Sequence, residues 1–302
     1  MALAKKKDQK AVIQKTTTQR ETAKNKTMAK KKLDPAGYLH GFSPTEQDRL
    51  LAQARFLAPK VYSHIDFAGQ QEIVEVGCGV GAQTEMLLER FPHLHIAGVD
   101  SSGQQIARAR KHLAKAVAAK RVSLTEADAL ALPFADNSFD GAFICWFLEH
   151  VQKPVEILSE LRRVLRTQAV VYCSEVLNAT FYVHPYSPAT LQYWFAFNDH
   201  QWSLGGDPFV GAKLGNYLLA AGFQNVSTEV MVHHYDDRAP KQRATFIGYW
   251  TDLLLSGAPS LVAAGKVTED VVREMTAELG RLRSDPQAVF FYSWIQARAQ
   301  AF

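Results

Sequence analysis

Cysteine is scarce. The 302 residues hold three, Cys78, Cys145 and Cys173. An odd, scattered set makes no disulfide framework and suits a reducing compartment. The spacing is not that of a zinc site, so no metal is expected. Long apolar runs are missing too. No stretch reaches eighteen apolar residues, which excludes a membrane-spanning helix. The start is polar and rich in lysine, without the apolar segment of a secretory signal. A cytoplasmic protein is the expectation.

Basic charge is scarce outside the beginning. The formal net charge is +4, from 34 Lys/Arg and 30 Asp/Glu. Residues 1 to 32 alone hold eleven of the bases and only two acids, Asp8 and Glu21. The rest carries 23 bases and 28 acids, a balance of −5. A mildly acidic body argues against nucleic acid as the partner. Residues 1–37 read as a solvated, low-complexity tail. A dimerisation arm, and with it a homodimer, is the sharper alternative.

What is present is alternation. "GFSPTEQDRLLAQARFLAPKVY" opens with a helix signal: Ser43 as N-cap, Pro44 in the first turn and Glu46 closing a capping box. Strand-like and helix-like segments follow in turn. The strands are "EIVEVG", "HIAGVD", "RVSLTEAD", "FDGAFICWF" and "QAVVYCSEV". Between them lie "AQTEMLLERF", "GQQIARARKHLAKAVAAK" read as one long helix, and "PVEILSELRRVL". Such alternation implies βαβ units and a parallel sheet covered on both faces. Two late strands, "NVSTEVMVHHY" and "AVFFYSWIQARAQ", suggest an antiparallel edge. The fold class is therefore α/β, a doubly wound, mostly parallel seven-stranded sheet. We divide it into a core over 38–178 with a capping helix, an aromatic lid insertion over 179–208, and the rest of the sheet with inserted helices over 209–302.

In an open parallel sheet, ligands bind beyond the carboxyl ends of the strands. "VEVGCGVGAQ" stands there, with Gly77, Gly79 and Gly81 at every second position. Glycines let a ligand approach the backbone closely. The surrounding acids select the ligand. Glu75 lies inside the strand before the loop, Asp100 ends the second strand, and Asp128 follows the third. Three carboxylates suit a ribose, an amine and a positive charge better than a diphosphate.

The segments "VEVGCGVG", "GVDSS", "EADALALPFADNSFD" and "FDGAFICWFLEHV" together resemble the class I S-adenosylmethionine-dependent methyltransferases. The resemblance spans roughly residues 70 to 175, and is greatest to the small-molecule group that includes the ubiquinone and menaquinone enzymes. It implies a Rossmann-like methyltransferase fold and S-adenosyl-L-methionine as cofactor. Glu75 and the backbone of Gly77, Cys78, Gly79 and Gly81 would then hold the methionine part. Asp100 would accept the ribose hydroxyls, with Ser101 along the adenosine. Asp128 and Ala129 would meet the adenine, and Cys145 and Trp146 would back the cofactor. One departure stands out: "LRTQAVV" lacks the glycine-rich turn the family commonly has before the fifth strand.

The acceptor side has three candidate sources. Tyr38, His40 and Phe42 precede the core. Glu149 and His150 follow the fourth strand and are the candidate general bases. The stretch "FYVHPYSPATLQYWFAFNDHQW" crowds aromatics around Tyr182, His184, Tyr186, Trp194 and His200. It reads as an aromatic pocket for a flat acceptor or as a helix packing into a local core. The expected function is methyl transfer to O, N or C of a small aromatic or amphipathic acceptor. The alternatives are a tRNA or protein methyltransferase, or a protein that binds the cofactor for another reaction.

Overall fold

The computed structural model describes residues 39–302. The predicted tail and Tyr38 lie outside them. The first helix, α1, covers Pro44–Val61. Ser43 caps it as expected, its hydroxyl accepting from the Glu46 N–H at 3.2 Å. The capping box stays half-made, because the Glu46 carboxylate turns to Arg49 and accepts from its Nε and Nη2 at 2.7 and 2.6 Å.

Five parallel strands follow: β1 (Glu72–Val76), β2 (His95–Asp100), β3 (Val122–Glu126), β4 (Phe139–Cys145) and β5 (Leu165–Val176). The helices between them are α2 (Ala82–Arg90), α3 (Gly103–His112), α4 (Ala114–Ala118) and α5 (Pro154–Val164). The sheet runs in the order 3-2-1-4-5. Val76 is level with Val99, and Cys145 with Ser174, so the carboxyl ends of these strands share one rim. The order reverses between β1 and β4, which opens a crevice there.

The long helix expected after β2 is broken at Leu113, where α3 ends and α4 begins. The Leu113 side chain lies against Gly81, where an added Cβ would sit 2.6 Å from its Cδ1. The segment that lacks the family's glycine-rich turn lies inside β5, where the pairing with β4 shifts register between Leu165 and Val170. Gln168 there adopts a left-handed backbone, φ 68°, and its N–H donates to the Ala301 carbonyl.

Beyond β5 come a short strand β6 (Tyr182–His184), then α6 (Pro188–Ser203), α7 (Leu214–Ala220), β7 (Gln224–Tyr235), α8 (Pro240–Ala263), α9 (Glu269–Ser284) and β8 (Val289–Gln300). β8 is antiparallel to β5 and also to β7, as the sequence suggests. The sequence reading misses β6, three residues that pair with Phe291, Phe290 and Val289 and make the sheet eight-stranded.

Alternation divides the core. Ile73, Phe143 and Trp294 face one side with α1 and α8, while Val74, Ile144 and Ile295 face the other with α5 and α7. The aromatic stretch splits in two. Phe181, Tyr193, Trp194 and Phe197 are buried; Tyr182, Tyr186, Phe195 and Trp202 are exposed. Phe181 stacks on Trp250 of α8 at 5.3 Å, and Trp194 on Phe197 at 5.5 Å. Among the described residues no helix is long and apolar enough to cross a membrane.

α6 has no side-chain cap of its own. Glu278 of α9 takes that role, accepting from the N–H groups of Ala189 and Thr190 and from the Thr190 hydroxyl at 3.1, 2.7 and 2.7 Å. A buried carboxylate on the first N–H groups of a helix satisfies donors and complements the helix dipole. Glu278→Ala is expected to cost about 2–3 kcal/mol, a fall of about 3–5 °C in Tm for a chain of this size. Thermal denaturation checks it; an unchanged Tm would show that α6 needs no cap.

Candidate active site

The glycine loop is bent back over β2. Gly77 and Cys78 both donate to the Val99 carbonyl, at 2.8 and 3.0 Å. Gly77 has φ 76°, and an added Cβ would stand 2.6 Å from Phe147 Cγ. Gly79 has φ 52° and nothing within 4 Å of such a Cβ. One glycine is therefore required by the protein's own packing, while the other faces open space. The Cys78 side chain turns away, its sulfur near Gly98 and its neighbours Ile106, Ala109 and Leu124.

Asp100 ties the loop to the rim. Its Oδ2 accepts from the Gly79 N–H at 2.9 Å and its Oδ1 from the Ser102 N–H at 2.8 Å. Each oxygen keeps a second lone pair, enough for a vicinal diol. Burial raises the Asp100 pKa, and the two N–H groups and the nearby His150 oppose that rise. Ser102, not Ser101, caps α3; Ser101 is exposed.

Glu75 is buried, with Thr84 Oγ1 donating to its Oε2 at 2.6 Å. Burial pushes its pKa up to about 8, against the pull of the Thr84 hydroxyl, and the Asp100 charge adds to the rise. The sequence reading passes over Thr84, although its place on the first turn after the loop puts it opposite the strand.

Asp128 is exposed. Its Oδ1 accepts from the Leu130 N–H at 2.9 Å, stiffening the loop that carries half-buried Ala129. At the end of β4, half-buried Cys145 leads into Trp146, whose φ of 52° is unusual for a bulky residue. A single 3-10 turn, Leu148–His150, follows. His150 Nε2 lies 3.7 Å from Glu149 Oε1. The Glu149 Oε2 accepts from Gln201 Nε2 at 2.7 Å, and its carbonyl from the Asp207 N–H at 2.8 Å.

The sequence reading misses Glu175. This acid, wholly buried at the end of β5, accepts from the N–H groups of Phe147, Leu148 and Glu149 at 3.1, 2.8 and 3.3 Å. Burial pushes its pKa up to about 8, Glu149 adds to the rise, and the three N–H groups oppose it. The signal was available: an acid inside the apolar run "VVYCSEV", beside the end of β4.

The N-terminal candidates approach this rim. His40 Nδ1 is 2.6 Å from Ser256 Oγ of α8, and its ring is 5.6 Å from Phe197. Burial lowers its pKa well below the ordinary value, helped by Arg49 and His150. The Phe42 carbonyl accepts from Gln104 Nε2 at 2.7 Å. The other acceptor candidates are engaged elsewhere. Trp194 donates its ring N–H to the Asn178 carbonyl at 3.0 Å, and His200 Nε2 is 3.0 Å from Ser260 Oγ. Tyr182, His184 and Tyr186 are exposed on β6 and just after it.

These shifts set a pH dependence. Glu75 and Glu175 titrate near 8 when folded against an ordinary 4.5. Between those values the folded chain holds protons that the unfolded chain has lost, so stability falls as pH rises. Tm of the ligand-free chain is expected to drop from pH 6.5 to 8.5, and less steeply in Glu75→Gln. Melting across that range in both proteins checks it; a flat profile in the parent would contradict the burial argument.

Residues 74–173 match the family described as "Methyltransferase domain". An O-methyltransferase of Penicillium expansum is 30% identical over 192 residues, covering 62% of this chain and 66% of the relative. A ubiquinone/menaquinone biosynthesis C-methyltransferase of Roseobacter denitrificans is 34% identical over 96 residues, 32% of this chain and 38% of the relative. The chain thus spans less than two thirds of these curated relatives' own length. Among solved structures, a phosphoethanolamine N-methyltransferase of Haemonchus contortus shares the fold, with a TM-score of 0.52 at 16% identity over 82% of this chain and 52% of that one.

Proposed function

We propose that the chain moves a methyl group from S-adenosylmethionine to an oxygen, nitrogen or carbon atom of a small aromatic or amphipathic acceptor, a reading supported by the match of residues 74–173 to the methyltransferase domain family. The activity of the Penicillium relative favours oxygen. The observation that carries the reading is the loop itself. Gly79 faces open space and is tied to Asp100, beside a buried Glu75 that accepts from Thr84 and makes no ion pair among the described residues.

The residues present fit this cofactor. Asp100 offers one remaining lone pair on each oxygen to the two ribose hydroxyls. Glu75 would answer the positive charge of the methionine end, with the Gly77, Cys78 and Gly81 backbone around it. Ser101, Asp128 and Ala129 would flank the nucleoside, and Cys145 and Trp146 would back it. The cofactor, when bound, supplies an electrophilic methyl on a sulfonium. The chain's own part is to hold the acceptor in line and to exclude water. Of the two candidates we assign the proton acceptor's part to His150, the less buried one; Glu149 is buried and its carboxylate accepts from Gln201. His40 and Phe42 would close the acceptor side. A cytoplasmic setting fits three cysteines that form no disulfide.

Methyl-labelled S-adenosylmethionine offered with a panel of phenols, quinols and aromatic amines tests the reading. Label should reach a small acceptor, and His150→Asn should slow transfer about 10²–10⁴-fold with cofactor affinity kept. Label appearing only in tRNA or protein would contradict it.

A further inference from the structure

The Leu148–His150 turn is too short to fix its own shape. A single 3-10 turn closes one or two weak hydrogen bonds and leaves its first N–H groups without partners. Here the turn has no side-chain cap from its own N-terminal residue, Phe147. Its three leading N–H groups, from Phe147, Leu148 and Glu149, all point to one carboxylate on the neighbouring strand, that of Glu175. The pairing of Cys145 with Ser174 brings the end of β5 beside the turn. Trp146 N–H also donates to the Ser174 carbonyl at 2.9 Å, so the chain is held by β5 from its first residue past β4.

We propose that Glu175 is a positioning residue: through the backbone of residues 147–149 it sets where the His150 imidazole stands. This rests on the reading of His150 as the acceptor-side base. The geometry has two parts that act together. Glu175 grips the turn from the sheet, with Oε1 on two N–H groups and Oε2 on the third. Gln201 grips it from α6, through the carboxylate of Glu149. The Phe147 side chain lies against Gly77, so the same turn that carries His150 also abuts the glycine loop. No other acid among the described residues makes three backbone contacts to this turn. An aspartate at position 175 keeps the carboxyl group but is one methylene short. A glutamine keeps the length but presents N–H groups to an N–H donor.

The test uses the full chain with Glu175→Asp and Glu175→Gln. Two quantities are read by NMR: amide hydrogen exchange at 147–149, and the His150 ring resonances, identified by their loss in His150→Asn. Binding of S-adenosylhomocysteine and a cooperative melt serve as controls. Both variants are expected to speed exchange at these amides by tenfold or more and to move the His150 resonances, with S-adenosylhomocysteine affinity within about threefold of the parent. Faster exchange with unmoved His150 resonances would overturn the proposal. So would a shift in Glu175→Gln alone, which would show that the reach of the acid does not set the imidazole. If neither variant folds, Glu175 is a structural acid and the proposal falls. The NMR readout needs no methyl transfer. A parent chain that binds no S-adenosylhomocysteine would defeat the proposed function while leaving this positioning role still decided by the same spectra.

Discussion

Asp100→Ala is expected to weaken S-adenosylmethionine binding by at least 100-fold while the chain still melts cooperatively. The carboxylate has two tasks. It accepts from Gly79 and Ser102, fixing the loop against the start of α3. Its remaining lone pairs would accept from the two hydroxyls of a ribose diol. Hydrogen bonds to a charged group are worth about 1.5–3 kcal/mol each, so losing two costs about 3–6 kcal/mol, a factor of about 10²–10⁴. The loosened loop adds to this. Asp100→Asn should fall between, since its amide can accept through only one of its two polar atoms. Titration calorimetry measures both. Parent-like affinity in Asp100→Ala would mean that the carboxylate only shapes the loop.

Gly77→Ala is expected to be the most damaging single methyl in the site. The backbone there has φ 76°, and the new Cβ would lie 2.6 Å from Phe147 Cγ and 2.9 Å from Phe147 Cβ. The left-handed backbone costs about 1–2 kcal/mol for a non-glycine residue. Overpacking adds about 1–3 kcal/mol, because Phe147 leads into a turn that Glu175 holds in place. Gly79→Ala is the contrast. It carries the same kind of backbone penalty, but its Cβ meets no protein atom within 4 Å. Gly77→Ala should therefore lower Tm clearly more than Gly79→Ala, whereas both should impair cofactor binding. Melting curves of the two variants decide this, and the opposite order of Tm would contradict the account of the loop.

The fold was legible wherever one physical signal dominated. β1, β2 and β4 are buried on both faces, so their apolar runs announce themselves. The glycine loop and Asp100 were legible because their chemistry is local to strand ends. Features set by tertiary contact were not. The break at Leu113, whose side chain packs on Gly81, is a feature that no helical periodicity records. β6 exists because β8 extends past the end of β5 and offers an edge. The aromatic insertion could not be divided in advance, since "YWFAF" carries apolar side chains all round. α8 and α9 decide that Tyr193, Trp194 and Phe197 go inward while Phe195 stays outside. Glu175 was missed because its partners are backbone groups of the turn that follows another strand.

The central claim is that the loop, Glu75 and Asp100 form one site for a cationic nucleoside. Calorimetric titration of the full chain with S-adenosylmethionine, near pH 7 in two buffers of different ionisation enthalpy, tests it most directly. Ligand-free Glu75 is protonated there, with a pKa of about 8. A positive charge beside it favours the ionised form, so binding should release protons. The account predicts saturable binding well below millimolar cofactor, with a heat that differs between buffers and loses that difference in Glu75→Gln. No binding at millimolar cofactor, or tighter binding of NADH, would contradict it.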